Sequence, residues 1–495
     1  MTIDHEQFAR MTLEDAARGV ISGECSASDL VEASIRRMDV FEPVVNAVIT
    51  RNDDAARARA RALENNIPQG VLLPGLPVAV KDNMMTRGLR STCGSKMLDN
   101  FIPPANAHAV DKTLEAGAII SAKTNMDEFA MGTTGENSAY GPTRNPWNTG
   151  RVPGGSSSGS AAIVAYGGAP AALASDTGGS IRQPAAFCGV VGMKPTYGRV
   201  SRSGCGALAS SLDQIGPITR TVRDNALMMD ILTGHDKLDS TSAKQADSAA
   251  PCHPTVEDGV KGLKIGFDPS LLERDGIAPV QADAARRMVD VCRAGGADIV
   301  EVGIPLLEYG VAAYYILCFC EASANMTRFD GVRYGVRRGD GDLWDVFKTT
   351  RGDGFGDEVK RRIMLGSYAL SSGYYDAYYL KACRVRRLFM QEFGKILDSI
   401  DALVMPISPQ PPRKLGEQCS VLDAYLGDIF TLSANLTGLP ALAFPVGAAD
   451  GLPTGVQVMG RAFGENILYR VAREAEKNTR LDDAPWTLKA PEGPK

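Results

Sequence analysis

The chain has 495 residues, 44% hydrophobic and 22% charged, with 52 Gly and 28 Pro distributed along it. That composition belongs to a folded globular protein and excludes disordered and collagen-like classes. With 53 Lys and Arg against 58 Asp and Glu, the net charge is −5, so the chain lacks the basic footprint of a protein that grips phosphate backbones by itself. Only four histidines occur (His5, His108, His235 and His253). None lies by a Gly-x-Ser-x-Gly elbow or within metal-ligand spacing of another, which argues against Ser-His-Asp chemistry and against a metal site. Ten cysteines without a Cys-x-x-Cys pair are too dilute for a disulfide scaffold, and Cys318 and Cys320 are expected to be buried thiols. The first residues show no apolar leader, and the most apolar stretch, residues 161–174, is shorter than the roughly 18 residues that span a bilayer. A cytoplasmic location without membrane contact is expected.

In chain order, Leu13, Ala16, Ala17, Val20 and Ile21 recur at helical spacing, and a second helix through Leu30, Val31, Ala33, Ile35 and Met38 is expected to be capped by Ser28. An Ala- and Arg-rich helix over 51–63 completes a mainly helical N-terminal layer, about 1–65. The run 77–80 is a short apolar strand ending at Lys81. Further strands are expected over 118–122, 172–175, 190–193, 263–267, 299–302, 402–405, 441–446 and 455–459, alternating with helices over 222–232, 282–292, 374–397 and 467–476. Alternation of this kind predicts an α/β fold, a large mixed β-sheet covered by helices on both faces. Length alone suggests two to four domains. The alternation continues on both sides of the polar stretches 235–261 and 337–354, so these are read as surface excursions from one domain spanning 1–495.

The segment most suited to chemistry is GGSSSGS (154–160), followed by an apolar run and then SDTGGSIRQP (175–184). A flexible linker would not be tied to the core at both ends, and small residues let backbone N–H groups converge on an anion while serines supply hydroxyls. Taken alone this pattern is balanced between a loop and a site.

From residue 154 to 184 the chain resembles the amidase signature family: Gly154, Ser156, Gly159, Asp176, Gly178, Ser180, Ile181, Arg182 and Pro184 stand where that family's pattern requires them. The resemblance implies a Ser-Ser-Lys triad. Ser180 is the nucleophile, Lys81 the base, and Ser156, preceded by a cis peptide bond, relays the proton between them. A lysine at its usual pKa of about 10.4 cannot act as a base, so Lys81 must be desolvated. Backbone N–H groups of Thr177, Gly178, Gly179 and Ser180 are expected to receive the oxyanion. Asp176 and Arg182 read as structural partners of the loop, and Ser157 and Ser158 as filling hydroxyls.

Stretches outside the triad, 125–148, 194–204, 210–225, 328–335 and 358–379, are similar to the branch of the family that hydrolyses glutamine for tRNA-dependent amidotransferases. That resemblance implies a clamp for the two charged ends of glutamine: Arg362 for the carboxylate, Asp428 for the amino group, and Tyr314 in the pocket. From the residues alone Arg361 is an equal candidate to Arg362. It also implies partner B and C subunits, ammonia delivered to B, and Glu-tRNA(Gln) amidated there with ATP and Mg²⁺, with no cofactor in this chain. Residues 204–208, with little bulk, are candidates for the pocket wall or the ammonia exit. A free-standing amidase acting on small amides would share the triad and differ in the clamp.

Overall fold

The strand-forming runs are apolar at both odd and even positions, the pattern of a sheet covered on two faces. In this computed structural model, which describes residues 3–479 and 481, they become β1 (Val48–Arg51), β2 (Pro77–Lys81), β3 (Ile119–Thr124), β4 (Ala171–Asp176), β5 (Val191–Lys194), β6 (Gln214–Thr219), β7 (Lys264–Phe267), β8 (Asp298–Glu301), β9 (Ala402–Pro406), β10 (Ala441–Ala449) and β11 (Leu452–Gly460). All eleven join one mixed sheet in the order β1-β3-β2-β4-β6-β5-β10-β11-β9-β7-β8. β2 is parallel to both β3 and β4, and β7 to both β8 and β9, whereas the central strands pair antiparallel.

Alternation along each strand builds the layers. In β4, Ala171 and Leu173 enter one core while Ala172 and Ala174 enter another. In β9, Ala402 and Val404 likewise face away from Leu403 and Met405. One face is covered by helices Val222–Leu232, Pro279–Ala294 and Glu465–Asn478, whose buried residues share a core with β4, β9 and β10. On the opposite face, helices Ala27–Val45 and Ser158–Ala165 cover one end, and Leu307–Asn325 and Lys381–Ser399 cover the other.

All nine expected strands form, and β1 and β6 join them. The N-terminal layer is helical over His5–Arg10, Leu13–Ser22, Ala27–Val45 and Asp53–Asn65, with β1 between the last two. Its longest helix is capped by Ser26, not Ser28: Ser26 Oγ accepts from the Asp29 amide (3.0 Å) while Asp29 accepts from the Ser26 amide (3.0 Å), a reciprocal box that Ser28 cannot form. The stretch 235–261 contains two short 3₁₀ turns and buries Cys252, Val256 and Val260 in the core. The stretch 337–354 is more than a polar excursion, because Leu343–Gly354 is a helix that buries Val346, Thr350 and Gly354. The helix expected over 374–397 starts at Lys381 after a π turn, Asp376–Leu380. Among the described residues no helix is long and apolar enough to cross a membrane.

Leu403 in β9 is fully buried against the 307–325 layer. Leu403→Ala is expected to cost about 2–5 kcal/mol, measured as a lowered urea midpoint.

Candidate active site

β2 and β4 lie side by side and parallel, with Val80 opposite Leu173, so their C-terminal ends open together, the usual place for a site in an open α/β sheet. Lys81 is the last residue of β2, and alternation puts its side chain on the Ala79 face, under helix Ser158–Ala165. The serines before that helix meet it there. Lys81 Nζ lies 2.8 Å from Ser156 Oγ, 2.8 Å from Ser157 Oγ and 3.2 Å from the Ser175 carbonyl. Lys81 and Ser156 are fully buried, and the Gly155–Ser156 peptide is cis. Ser180, on the turn after β4, is 7% exposed, the one member of the three that reaches open space. Its carbonyl accepts from the Ser157 amide (3.1 Å); among the described residues its hydroxyl makes no hydrogen bond.

The turn that carries Ser180 is held by a buried ion pair. Arg182 donates from Nε and Nη2 to Asp176 (3.0 and 3.1 Å), from Nη1 to the Thr431 carbonyl and Gln457 Oε1, and from Nη2 to Asn435 Oδ1. All five guanidinium N–H groups are thereby satisfied. Burial alone would raise the Asp176 pKa, but Arg182, Lys194 and Asn435 hold it well below the usual carboxylate range. Asp176 also accepts from the amides of Gly179 (2.9 Å) and Ile181 (3.1 Å). The Gly179 N–H, expected to face an oxyanion, is here engaged by Asp176. The amides of Thr177, Gly178 and Ser180 make no hydrogen bond among the described residues. Gly179 has φ +129° and lies where a Cβ would come within 2.6 Å of Thr431 Oγ1, while a Cβ on Gly178 would collide with the Tyr314 hydroxyl.

Burial pushes the Lys81 pKa down to about 8, against the opposing pull of Cys205, Asp127, Asp176 and Asp213. A neutral lysine has two N–H donors and one lone pair. Ser157 Oγ donates to the Ser175 carbonyl (3.1 Å) and so receives from Lys81, and the Ser175 carbonyl can only accept. The two donors are thus directed at Ser157 and Ser175, leaving the lone pair for the Ser156 hydroxyl. Ser157 is therefore a hydrogen-bond partner of Lys81 rather than a filling hydroxyl, whereas Ser158 reaches only Thr143 Oγ1 (3.2 Å) and the Asn125 carbonyl.

Beyond the turn, a cavity of about 350 Å³ is lined by Thr133, Asn137, Tyr315, Glu358, Arg362 and Tyr425, among others, and its wall does not include Ser180. Arg362 is the inward member of its pair: it is 4% exposed, while the Arg361 side chain is 43% exposed. Arg362 Nε donates to Glu358 (2.8 Å), and Nη2 makes no hydrogen bond among the described residues. Tyr315, unnoticed in the sequence beside Tyr314, donates its hydroxyl to Asp428 Oδ2 (2.7 Å), stacks on Tyr425 at 3.9 Å and lies 5.8 Å from the Arg362 guanidinium. Burial raises the Asp428 pKa to about 7, offset in part by the Tyr315 hydrogen bond and Arg362. Thr431 connects the two halves, donating to the Gly178 carbonyl (2.6 Å) while its amide meets the Asp428 carbonyl (2.9 Å). Cys205 and Ala207, from the stretch with little bulk, line a second cavity of about 220 Å³ with Asp213, which accepts from Thr177 Oγ1 (2.7 Å). No group of three or more His, Cys, Asp or Glu among the described residues is placed to hold a metal ion.

A sheet of this form has known counterparts. Residues 29–468 match the Amidase family profile, and the chain belongs to the amidase signature family. It is 50% identical to the A subunit of the glutamyl-tRNA(Gln) amidotransferase of Geobacter metallireducens, over 92% of this chain and 94% of that one. The corresponding A subunit of Geobacillus thermodenitrificans is 51% identical, with the same coverage. Among solved structures, the A subunit of the glutamyl-tRNA(Gln) amidotransferase of Thermotoga maritima superposes with a TM-score of 0.81 at 41% identity, covering 97% of each chain. A 6-aminohexanoate cyclic dimer hydrolase reaches 0.84 at 26% identity, covering 98% of this chain and all of that one.

A lysine acting as base must be neutral, so with Lys81 in that role amide hydrolysis is expected to rise with pH and level off above about 8. The pH dependence of kcat/KM on a simple amide checks this. Ser157→Ala should displace the inflection and lower kcat by about tenfold or more, while KM changes little.

Proposed function

We propose that the chain is the glutamine-hydrolysing A subunit of a glutamyl-tRNA(Gln) amidotransferase, working in the cytoplasm with B and C subunits. The observation that carries this is the pairing of buried Arg362 with an Asp428 held by Tyr315, opposite charges set for the two ends of a free amino acid. A hydrolase of uncharged amides has no use for both. The chain's half-identity to such A subunits over nine-tenths of its length supports the same reading.

The Lys81–Ser156 contact (2.8 Å) supports the following route. Neutral Lys81 takes the Ser156 proton as Ser156 takes the Ser180 proton, and Ser180 Oγ bonds to the side-chain amide carbon of glutamine. The carbonyl oxygen becomes an oxyanion facing the unengaged amides of Thr177, Gly178 and Ser180. The proton then returns from Lys81 through Ser156 to the leaving nitrogen, the C–N bond breaks, and ammonia departs. Water, activated by the same route, cleaves the Ser180 acyl ester and releases glutamate. Ammonia passes to the B subunit, where ATP and Mg²⁺ activate Glu-tRNA(Gln) for amidation. This chain contributes glutamine binding and the protons; its net charge of −5 suits a division in which tRNA is held mostly by its partners.

Arg362→Ala is expected to raise KM for glutamine roughly thirtyfold or more while leaving turnover of a simple amide intact; an equal loss on both substrates contradicts the clamp. In the assembled complex, Ser180→Ala should abolish Gln-tRNA(Gln) formation from glutamine but not from added ammonia.

A further inference from the structure

The chain's ten cysteines are buried or half-buried but for one: Cys419 is exposed. It sits on the loop between β9 and helix Val421–Leu426, in the wall of the cavity of about 350 Å³ that Arg362 also lines. The loop is held to Glu136 on the same wall, which accepts from the Gly416 amide (2.7 Å) and from Arg413 Nη2 (3.0 Å). Arg413 Nη1 donates to Cys419 Sγ. A second feature of this wall points to a ligand: Arg362 is 4% exposed, and among the described residues its Nη2 has no acceptor. Arg413 Nε, buried, lacks one as well. The cavity therefore brings one accessible thiol together with guanidinium donors that call for an anionic oxygen.

Disulfide exchange needs an accessible sulfur whose attacking form is the thiolate, and a guanidinium on the sulfur is the kind of neighbour that holds one. Cys318, although Arg362 Nη1 lies 3.9 Å from its sulfur, is fully buried and offers no approach. We propose that Cys419 is a modification site for small disulfides that carry carboxylates, glutathione disulfide or cystine, and that the attached half fills the cavity and excludes glutamine. Either half carries the same pair of α-amino and α-carboxylate groups as glutamine. In the exchange the Cys419 thiol gives its proton to water and its sulfur attacks one sulfur of the disulfide. The reagent's S–S bond breaks, a new one forms to Cys419, and the other half departs as a thiolate that takes up a proton. Cys419 is oxidised and the departing half reduced, with no other reactant. The carboxylate of the attached half meets Arg362 Nη2, the donor open to a glutamine carboxylate. At about 350 Å³ the cavity is at the small end of ligand pockets, so the two compete for it. The proposal rests on reading this cavity as the glutamine pocket.

The test treats the full chain with glutathione disulfide, with cystine and with the neutral hydroxyethyl disulfide, locates adducts by peptide mass spectrometry, and follows glutamine hydrolysis with the B and C subunits added. Each rate is taken relative to the same disulfide's rate with a small free thiol. At low ionic strength Cys419 should react about tenfold faster or more with a carboxylate-bearing disulfide than with the neutral one, an advantage that added salt erodes. Glutamine hydrolysis should fall in proportion to the labelled fraction and recover when dithiothreitol removes the adduct. Cys419→Ser should keep glutamine turnover within about twofold of wild type and lose all sensitivity to the disulfides. No adduct at Cys419, equal rates with charged and neutral disulfides, or an adduct that leaves glutamine hydrolysis intact overturns the proposal. An adduct formed with that charge preference on a chain that hydrolyses no glutamine even with its partners overturns the subunit reading and leaves the thiol site standing.

Discussion

The site depends on one amine kept away from water. Lys81 is fully buried at the end of β2 with three oxygen neighbours and, among the described residues, no ion-pair partner. A second buried lysine one strand away shows the contrast: Lys123 on β3 has Asp82 at 3.4 Å. A carboxylate that close to Lys81 would stabilise its ammonium form and remove the base. Asp127, Asp176 and Asp213 stand near enough to be felt, but each is engaged elsewhere: Asp127 by the amides of Gly135 and Asn137, Asp176 by Arg182, and Asp213 by Thr177 and the amides of Leu208 and Ala209. The surrounding hydrogen bonds keep the negative charges occupied and leave the lysine to the serines.

The Asp176–Arg182 pair does for the Ser180 turn what desolvation does for Lys81. A buried pair with every donor and acceptor matched adds little net stability, but losing one partner leaves an uncompensated charge, at a cost of about 3–5 kcal/mol. The pair's value lies in geometry. It shapes the turn after β4, takes up the Gly179 amide and ties Ser180 to residues that also touch Asp428. Arg182 reaches Thr431, Thr431 reaches Gly178 and the Asp428 backbone, and Asp428 receives Tyr315. The Ser180 turn and the Tyr315–Asp428 pair are thereby parts of one hydrogen-bonded body.

Much of this was legible in the sequence, for reasons that also mark the limits. Buried strands such as β4 and β9 are short apolar runs with clear ends, and Lys81 stands out because a charge closes such a run. The strand β6 was hidden because Gly216 and Pro217 read as breakers, yet Pro217 sits opposite Leu173 inside the sheet. Helix Leu307–Asn325 was hidden because it is apolar on nearly every side, packed between the helices Asp357–Ala369 and Lys381–Ser399, and so shows no helical stripe. Spacing could not separate Tyr314 from Tyr315, since adjacent residues of a helix both reach the site, one at Gly178 and the other at Asp428. Ser157 looked like filler because its role depends on the direction of the Lys81 lone pair, which only three-dimensional partners define. The difference between Arg361 and Arg362 is one of helical phase, which leaves the first exposed and the second buried.

The reach of Arg182 also sets an order of events during synthesis. Its partners Asn435 and Gln457 lie 253 and 275 residues further along the chain, and β5 pairs with β10 across a similar gap. A nascent chain that has emerged past the serines carries Lys81, Ser156, Ser180 and the Asp176–Arg182 pair but still lacks the Asn435 and Gln457 acceptors of Arg182. The network around the Ser180 turn is therefore completed only when β11, nearly the last strand, has been made.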